Sequence, residues 1–270
     1  MKIRFGWNEL GRSLEDRPIR AYSNFDSEEL DSAPWTFILG GTHGDERATV
    51  PFLEAFVFTH LEKGEELERR GDFKNKMSLG PVMVLPLLNP DGYARDSRYN
   101  ARGVDLNRNL PELWHAKGDE PSGTGPLSEP ESRLLYDVLM LGKPARILSL
   151  HWALGEIDPD SKPSYVWARS LWENLETPYR SLFRLREPGK AASLLPGSLG
   201  TFCRLRLREN TLLITLELPY HPEAVGDMLP DHHFASVCAL WKTDRERYWN
   251  GIYPAVESLL RFAVGTSVGN

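Results

Sequence analysis

The chain has 270 residues, 41% of them hydrophobic and 26% charged, with a formal net charge of −6. That balance fits one soluble globular domain over residues 1–270, and it excludes a general binder of nucleic acid or anionic membrane, which needs a basic footprint. No apolar run is long enough to span a bilayer and the opening seven residues lack a signal-peptide core, so the expected location is the cytoplasm, or the periplasm for a chain trimmed of its signal.

In chain order, Trp35-Thr36-Phe37-Ile38-Leu39 is a β-prone apolar run stopped by Gly40-Gly41, and residues 46–61 then turn to helical periodicity. His43 therefore falls where a strand hands over to a helix. Residues 82–88 read as a second buried strand, ended by Asn89-Pro90-Asp91-Gly92 as a turn. Residues 117–127 form a Gly/Pro/Ser-rich loop, and Ser128-Glu129-Pro130-Glu131 reads as a helix start with a serine cap. Residues 146–150 and 212–218 are further apolar strands, the first closed by His151 and the second carrying Glu217. A last amphipathic helix covers residues 245–262. Cys203 and Cys238 read as buried thiols, with one disulfide between them as the alternative.

The strand ends carry the chemistry. His43, Glu46 and His151 supply two imidazoles and a carboxylate, a donor set suited to catalytic zinc with a coordination position left for water. Taken alone the His43/Glu46 spacing is weak, arising roughly once by chance among this many acids. Glu217 is more telling. A carboxylate in the apolar strand Ile214-Thr215-Leu216-Glu217-Leu218-Pro219 carries a large desolvation cost unless it is exposed, paired or functional. Arg95, Arg98, Arg102 and Arg108 read either as a solvated face or as a carboxylate-binding loop. A rival metal set, Glu217 with His221 and one of His232 and His233, is disfavoured because Pro219 and Pro222 bracket His221. His60 reads as a helix-surface residue and His115 as a loop residue.

The ordered set Gly40-Gly41-Thr42-His43-Gly44-Asp45-Glu46, Asn89-Pro90-Asp91-Gly92, Arg98-Tyr99-Asn100, Gly103-Val104-Asp105-Leu106-Asn107-Arg108-Asn109, Ser128-Glu129-Pro130-Glu131, Ser149-Leu150-His151 and Thr215-Leu216-Glu217 resembles the zinc carboxypeptidase family, M14. The resemblance implies a three-layer α/β/α fold with a mixed, mostly parallel central sheet. It implies Zn2+ on His43, Glu46 and His151, Glu217 as catalytic base, and Arg98 as partner of the oxyanion. Asn107 and Arg108 would clamp the terminal carboxylate of a peptide substrate, and Asp91 and Asp105 would hold turns and orient ligands. Within the family, the Gly11-Arg12-Ser13 opening and the compact run from Arg98 to Pro111 are similar to the bacterial murein peptide amidases, which release meso-diaminopimelate from L-Ala-γ-D-Glu-meso-diaminopimelate.

Two departures are visible. The digestive carboxypeptidases have a mobile tyrosine on the loop before Gly197-Ser198, where this chain reads Ala191-Ala192-Ser193-Leu194-Leu195-Pro196. Leu199 aligns with the base of the specificity pocket and predicts an apolar or mixed pocket that does not pair with a basic side chain. A deacylase of the aspartoacylase type shares the His-x-x-Glu start, but the long match from Arg98 to Asn109 argues against it. A non-catalytic binding protein would be expected to have lost a ligand or the base, and all four positions are intact.

Overall fold

The computed structural model describes residues 2–29, 34–63, 79–116, 121–188, 194–207, 211–220, 241 and 244–265. Eight strands make one sheet: β1 (Gly6–Arg12), β2 (Pro18–Ser23), β3 (Thr36–Leu39), β4 (Val82–Leu85), β5 (Arg146–Trp152), β6 (Glu156–Pro159), β7 (Arg184–Leu185) and β8 (Leu212–Leu218). Their order is β1-β2-β4-β3-β5-β8-β6-β7. The four central strands β4, β3, β5 and β8 run parallel, and β2 and β6 flank them antiparallel. The sheet is mixed and mostly parallel at its centre, as expected.

Side chains alternate across this sheet with period two, and the alternation builds two cores. Ile38, Val84, Leu148, Leu150, Ile214 and Leu216 face one layer, made by helices α1 (Thr49–Phe56), α4 (Lys162–Glu173), the short α5 (Thr177–Arg180) and α7 (Arg245–Val264). Phe37, Leu39, Met83, Leu85, Ile147 and Leu213 face the other, made largely by α3 (Pro130–Gly142) and the short α6 (Leu199–Phe202). Each such side chain, fully buried, contributes about 1.5–3 kcal/mol against the entropy of ordering the chain. Aromatic contacts lock the first layer, where Phe52 of α1 packs against Tyr248, Trp249 and Tyr253 of α7 and against Trp241. That packing carries α7 through Pro254, which removes a helix hydrogen bond.

Three local expectations are corrected. Asn89-Pro90-Asp91-Gly92 opens helix α2 (Pro90–Arg95), because the Asn89 side chain accepts from the Gly92 N–H at 2.8 Å and proline suits the first helical position. Ser128 does not cap α3. Glu129 holds the cap position without a side-chain cap bond, and the Ser128 hydroxyl instead donates to Glu129 Oε1 at 2.7 Å. The helical stretch expected from residue 46 begins at Thr49 and loosens into a π-helical turn at Val57–Glu62, where His60 is half-buried against Glu257 at 2.5 Å. Cys203 is buried and free, whereas Cys238, His221, His232 and His233 lie outside the described residues.

The chain steps from β3 to β4 on one side and then returns to β5 on the other. A reversal of strand order leaves a crevice beyond the carboxyl ends of the strands, the usual place for a ligand in an open α/β sheet. His43 follows β3 and His151 lies near the end of β5, so the crevice opens between them.

Candidate active site

The three metal-ligand candidates converge. Among the described residues His43, Glu46 and His151 form a buried group whose donor atoms lie within 4.8 Å of one another. His43 Nδ1 is 2.6 Å from Glu46 Oε1, and His151 Nδ1 is 3.0 Å from Glu46 Oε2. The second contact lacks hydrogen-bond geometry, so Glu46 Oε2 is a buried oxygen without a hydrogen-bond partner. Two Nδ1 atoms and a carboxylate aimed at one point need a cation between them, which is the fit a zinc ion requires. His43 turns its Nε2 toward Asp105 Oδ1 at 3.2 Å, and that carboxylate fixes the ring so that Nδ1 faces the ligand group.

Backbone packing puts His43 there. A Cβ at Gly44 would come within 2.0 Å of the Gly92 carbonyl carbon, so only glycine lets the His43 loop press against the start of α2. The start of α2 is in turn tied to the N-terminal hairpin, because Asp91 accepts from the Ser13 hydroxyl at 2.8 Å, the Glu15 N–H at 3.1 Å and Arg17 at 2.6 Å. Asp91 is thus a structural anchor.

Electrostatics in this corner are strong without the metal. Burial acts to lower the His43 pKa, but Glu46 and Asp105 outweigh it and raise it to about 9. Burial acts to raise Glu46, and the two histidines bring it down to about 2. Asp105 is likewise opposed by burial and held well below the carboxylate range by His43 and Arg98.

Arg98 donates to Asp105 Oδ2 through Nε at 3.1 Å and through Nη2 at 2.8 Å. Its third nitrogen, Nη1, lies 3.3 Å from His43 Nδ1 and 4.0 Å from Glu46 Oε1. Asp105 therefore aligns both a ligand histidine and an arginine over the same spot. It also accepts from the Asn107 N–H at 2.8 Å, opening the 3-10 turn Leu106–Arg108 that carries the next two residues of the site.

Asn107 and Arg108 are held by the loop leading into α6. The Asn107 Oδ1 accepts from the Leu199 N–H at 2.8 Å, which fixes the side-chain amide where Asn107 lines the cavity. A Cβ at Gly197, where φ is +68°, would lie 2.2 Å from the Arg108 carbonyl oxygen, so the close seam between these loops requires glycine. Behind them Glu129, fully buried, accepts from Asn100 at 2.8 Å and from Arg102 at 3.1 Å, and Asn109 donates to the Ser122 and Gly125 carbonyls. The Ser128-Glu129 pair thus braces the arginine loop, a role that a helix-start reading misses.

Glu217 completes the group from β8. Its register partner on β5 is His151 and on β6 is Glu156. Leu213, Thr215 and Glu217 share one face of β8, turned toward the cavity. Burial, reinforced by the negative charge of Glu46, pushes the Glu217 carboxyl well above the usual range. Glu156 is buried and paired with Arg184 and Arg186, which offsets its charge beside Glu217.

One cavity of about 350 Å³ gathers all seven predicted residues, His43, Glu46, Arg98, Asn107, Arg108, His151 and Glu217. Leu199 departs from expectation. It is 5% exposed in the apolar layer with Phe202 and Cys203, the i, i+3, i+4 face of that turn, while Gly200, Thr201 and Arg204 line the cavity instead. Asp158, Asp160 and Arg204, none of them picked out from the sequence, also line it. A mixed rather than apolar pocket is what the fold makes.

Residues 5–153 match the zinc carboxypeptidase family, Peptidase_M14, a span that includes six of the seven predicted site residues, all but Glu217. The murein peptide amidase A of Escherichia coli K12 is 30% identical over 230 residues, covering 79% of this chain and 81% of that protein. The crystal structure of the murein-tripeptide amidase of Escherichia coli O157 aligns with a TM-score of 0.56 at 25% identity, over 88% of this chain and 92% of that one. Carboxypeptidase A from Helicoverpa armigera aligns at 0.68 and 18% identity, over 97% and 69% respectively, and shares the fold. With its His43-Glu46-His151 centre, the chain belongs to the zinc carboxypeptidase family, M14, and is a zinc metallopeptidase.

Proposed function

We propose that the chain removes a C-terminal residue from a short peptide, and that its substrate is the γ-D-Glu-meso-diaminopimelate bond of murein peptides. The observation that carries this reading is the single cavity in which Glu217, Arg98 beside the metal ligands, Asn107 and Arg108 converge. The similarity to the Escherichia coli murein peptide amidase supports the substrate. Zinc on His43, Glu46 and His151 would supply a water of lowered pKa and a Lewis-acid contact to the scissile carbonyl.

The remaining steps belong to the chain's own side chains. Glu217 takes a proton from the attacking water and returns it to the leaving amine, a task suited to a carboxyl whose pKa burial has moved toward neutrality. Arg98, held at two nitrogens by Asp105, presents Nη1 to the carbonyl oxygen as negative charge develops there. Arg108 and the Asn107 amide bind the free carboxylate of the departing residue, which confines cleavage to the chain terminus. Asp105 positions His43 and Arg98 together.

The test is mass-spectrometric. Zinc-loaded protein is incubated with L-Ala-γ-D-Glu-meso-diaminopimelate and, separately, with C-terminal L-amino-acid peptides, alongside a Glu217→Gln control. Release of diaminopimelate by the unmutated protein alone is the expected result. Trimming of the L-peptides without release of diaminopimelate would move the substrate to ordinary peptides and keep the zinc mechanism.

A further inference from the structure

The turn that joins β1 to β2, residues 13–17, lines no part of the cavity, yet it holds two buried carboxylates that reach the site from different helices. The first is Asp91 of α2, whose Oδ1 accepts from the Ser13 hydroxyl and from Arg17 and whose Oδ2 accepts from the Glu15 N–H. The second is Glu131 of α3, whose Oε1 accepts from the Leu14 N–H at 3.2 Å while its Oε2 accepts from the Asn100 amide at 3.4 Å. The turn is closed on itself, because the Arg17 N–H donates to the Ser13 hydroxyl at 3.1 Å and the Ser13 N–H to the Arg17 carbonyl at 2.9 Å. Glu15 pairs both with Arg17 and with Arg95, so the turn grips α2 at its first and last turns.

Each carboxylate leads to a segment that carries the site. The start of α2 is the surface against which the His43 loop presses through Gly44. Tyr93 of the same helix takes Arg47, the residue after Glu46, with the guanidinium carbon 3.6 Å from the ring centre and a bond to the Tyr93 carbonyl. On the other side, the Asn100 amide bonded to Glu131 lies two residues after Arg98, and its Oδ1 accepts from the Arg102 and Val104 N–H groups at 3.0 Å each, which sets the shape of the arginine loop. Asn107 and Arg108 are seated elsewhere, on the loop before α6 through Leu199 and Gly197.

We propose that residues 13–17 are a positioning element of the metal centre, in which Arg17 and the Ser13 hydroxyl lock Asp91 so that the His43 loop and Arg98 keep one fixed relation. The proposal rests on the zinc centre and not on the identity of the peptide. Arg17 supplies the positive charge that a buried carboxylate needs, and without it Asp91 must move toward water or another partner. Movement of Asp91 shifts the start of α2, and the His43 loop follows because Gly44 leaves no slack between them. Misplacement of about 1 Å remote from the reacting atoms lowers a rate by as much as about 10²-fold. Metal retention and turnover therefore depend on the turn, while binding of the substrate carboxylate does not.

The test measures zinc affinity by chelator competition, and steady-state hydrolysis of whichever C-terminal peptide the protein cleaves, at a temperature where near-UV circular dichroism shows every variant folded. Arg17→Gln is expected to lower zinc affinity and kcat by about tenfold each, the low end for a group acting behind a metal ligand, with KM within about twofold. Arg17→Lys, which keeps a cation for Asp91, recovers most of both losses. Ser13→Ala removes one neutral bond, leaves the backbone bonds of the turn in place and gives a smaller change in the same direction; it carries the test if Arg17→Gln does not fold. Arg169→Gln, which breaks an exposed pair with Glu173 on α4, changes neither quantity. A lowered melting temperature with zinc affinity and kcat unchanged would overturn the proposal, and so would a lysine variant no better than glutamine or a rise in KM that matches the fall in kcat. If no peptide is cleaved, the functional reading fails alone, and zinc affinity still decides the role of the turn.

Discussion

The metal corner and the far wall of the cavity share one crevice and are built in opposite ways. At the corner His43, Glu46 and His151 are each no more than 5% exposed, and Asp105 ties His43 to Arg98. At the far wall Asp158 is half-exposed, Arg204 faces solvent, and the surrounding side chains come from β6, β8 and the turn after Ser198. A centre that must hold a cation and align charge in the transition state needs rigid, desolvated partners, because electrostatic interactions strengthen as water is excluded. A pocket that admits and releases an amino acid needs side chains that water can reach. On the proposed reading, the difference means that one fold divides reaction from substrate entry by depth.

Substitutions should separate the two regions cleanly. The largest effect belongs to Glu217→Gln, for which kcat falls by about 10²–10⁴-fold while zinc content, measured by mass spectrometry, stays at the unmutated level. If zinc is lost as well, Glu217 is a ligand rather than the base, and the comparison breaks. Arg98→Ala comes next. Removing one oxyanion donor is expected to lower kcat by about 10²–10³-fold in steady-state kinetics with little change in KM, whereas a large rise in KM would make it a substrate clamp.

Asp105→Asn acts at one remove from the metal. Loss of its charge should weaken zinc affinity by about 10–100-fold in a chelator competition, the usual cost of removing a carboxylate behind a ligand histidine. Unchanged affinity would show that the His43 ring is oriented without it. Arg204→Gln, in contrast, removes no contact of His43, Glu46 or His151 and should leave zinc affinity where it was.

The smallest effect is the pH response of the zinc-free protein. His43 is raised from 6.5 to about 9, so its contribution to stability is fully present below about pH 6.5 and lost as pH rises through about 9. Glu46 is lowered from 4.5 to about 2, so its contribution is present above about pH 4.5 and lost as pH falls through about 2. Glu217 is raised from 4.5 to about 8, so its ionisation opposes folding between those values. Melting of the zinc-free protein should therefore be highest near pH 4.5 and decline above it, and zinc-loaded protein should lose the part of the decline above about pH 6.5 that belongs to His43. A flat profile without zinc would mean that the corner relaxes apart when the metal leaves.

Much of the metal corner was legible in the chain because its parts are short and local. His43 and Glu46 fall within four residues, Asp105 to Asn109 is one continuous run, and His151 and Glu217 stand out as polar groups in apolar strands. The parallel central strands were legible for the same reason, as buried runs bounded by glycine and proline. Asn89 and Ser128 were misread because a turn, a cap and a brace use the same residue types, and only the hydrogen-bond partner tells them apart. Leu199 was misplaced because alignment fixes a residue's position along the chain and not the face its side chain turns to.

Sequence alone determined the family, the zinc ligands and the alternation of strand and helix, since each is written in residue type and spacing. Only the tertiary structure decided that β6 brings Asp158 beside Thr215, that Arg204 lines the same cavity, and that Glu129 braces the arginine loop. Those contacts join segments tens of residues apart through sheet order and strand register, which arise from how apolar faces pack rather than from any local pattern.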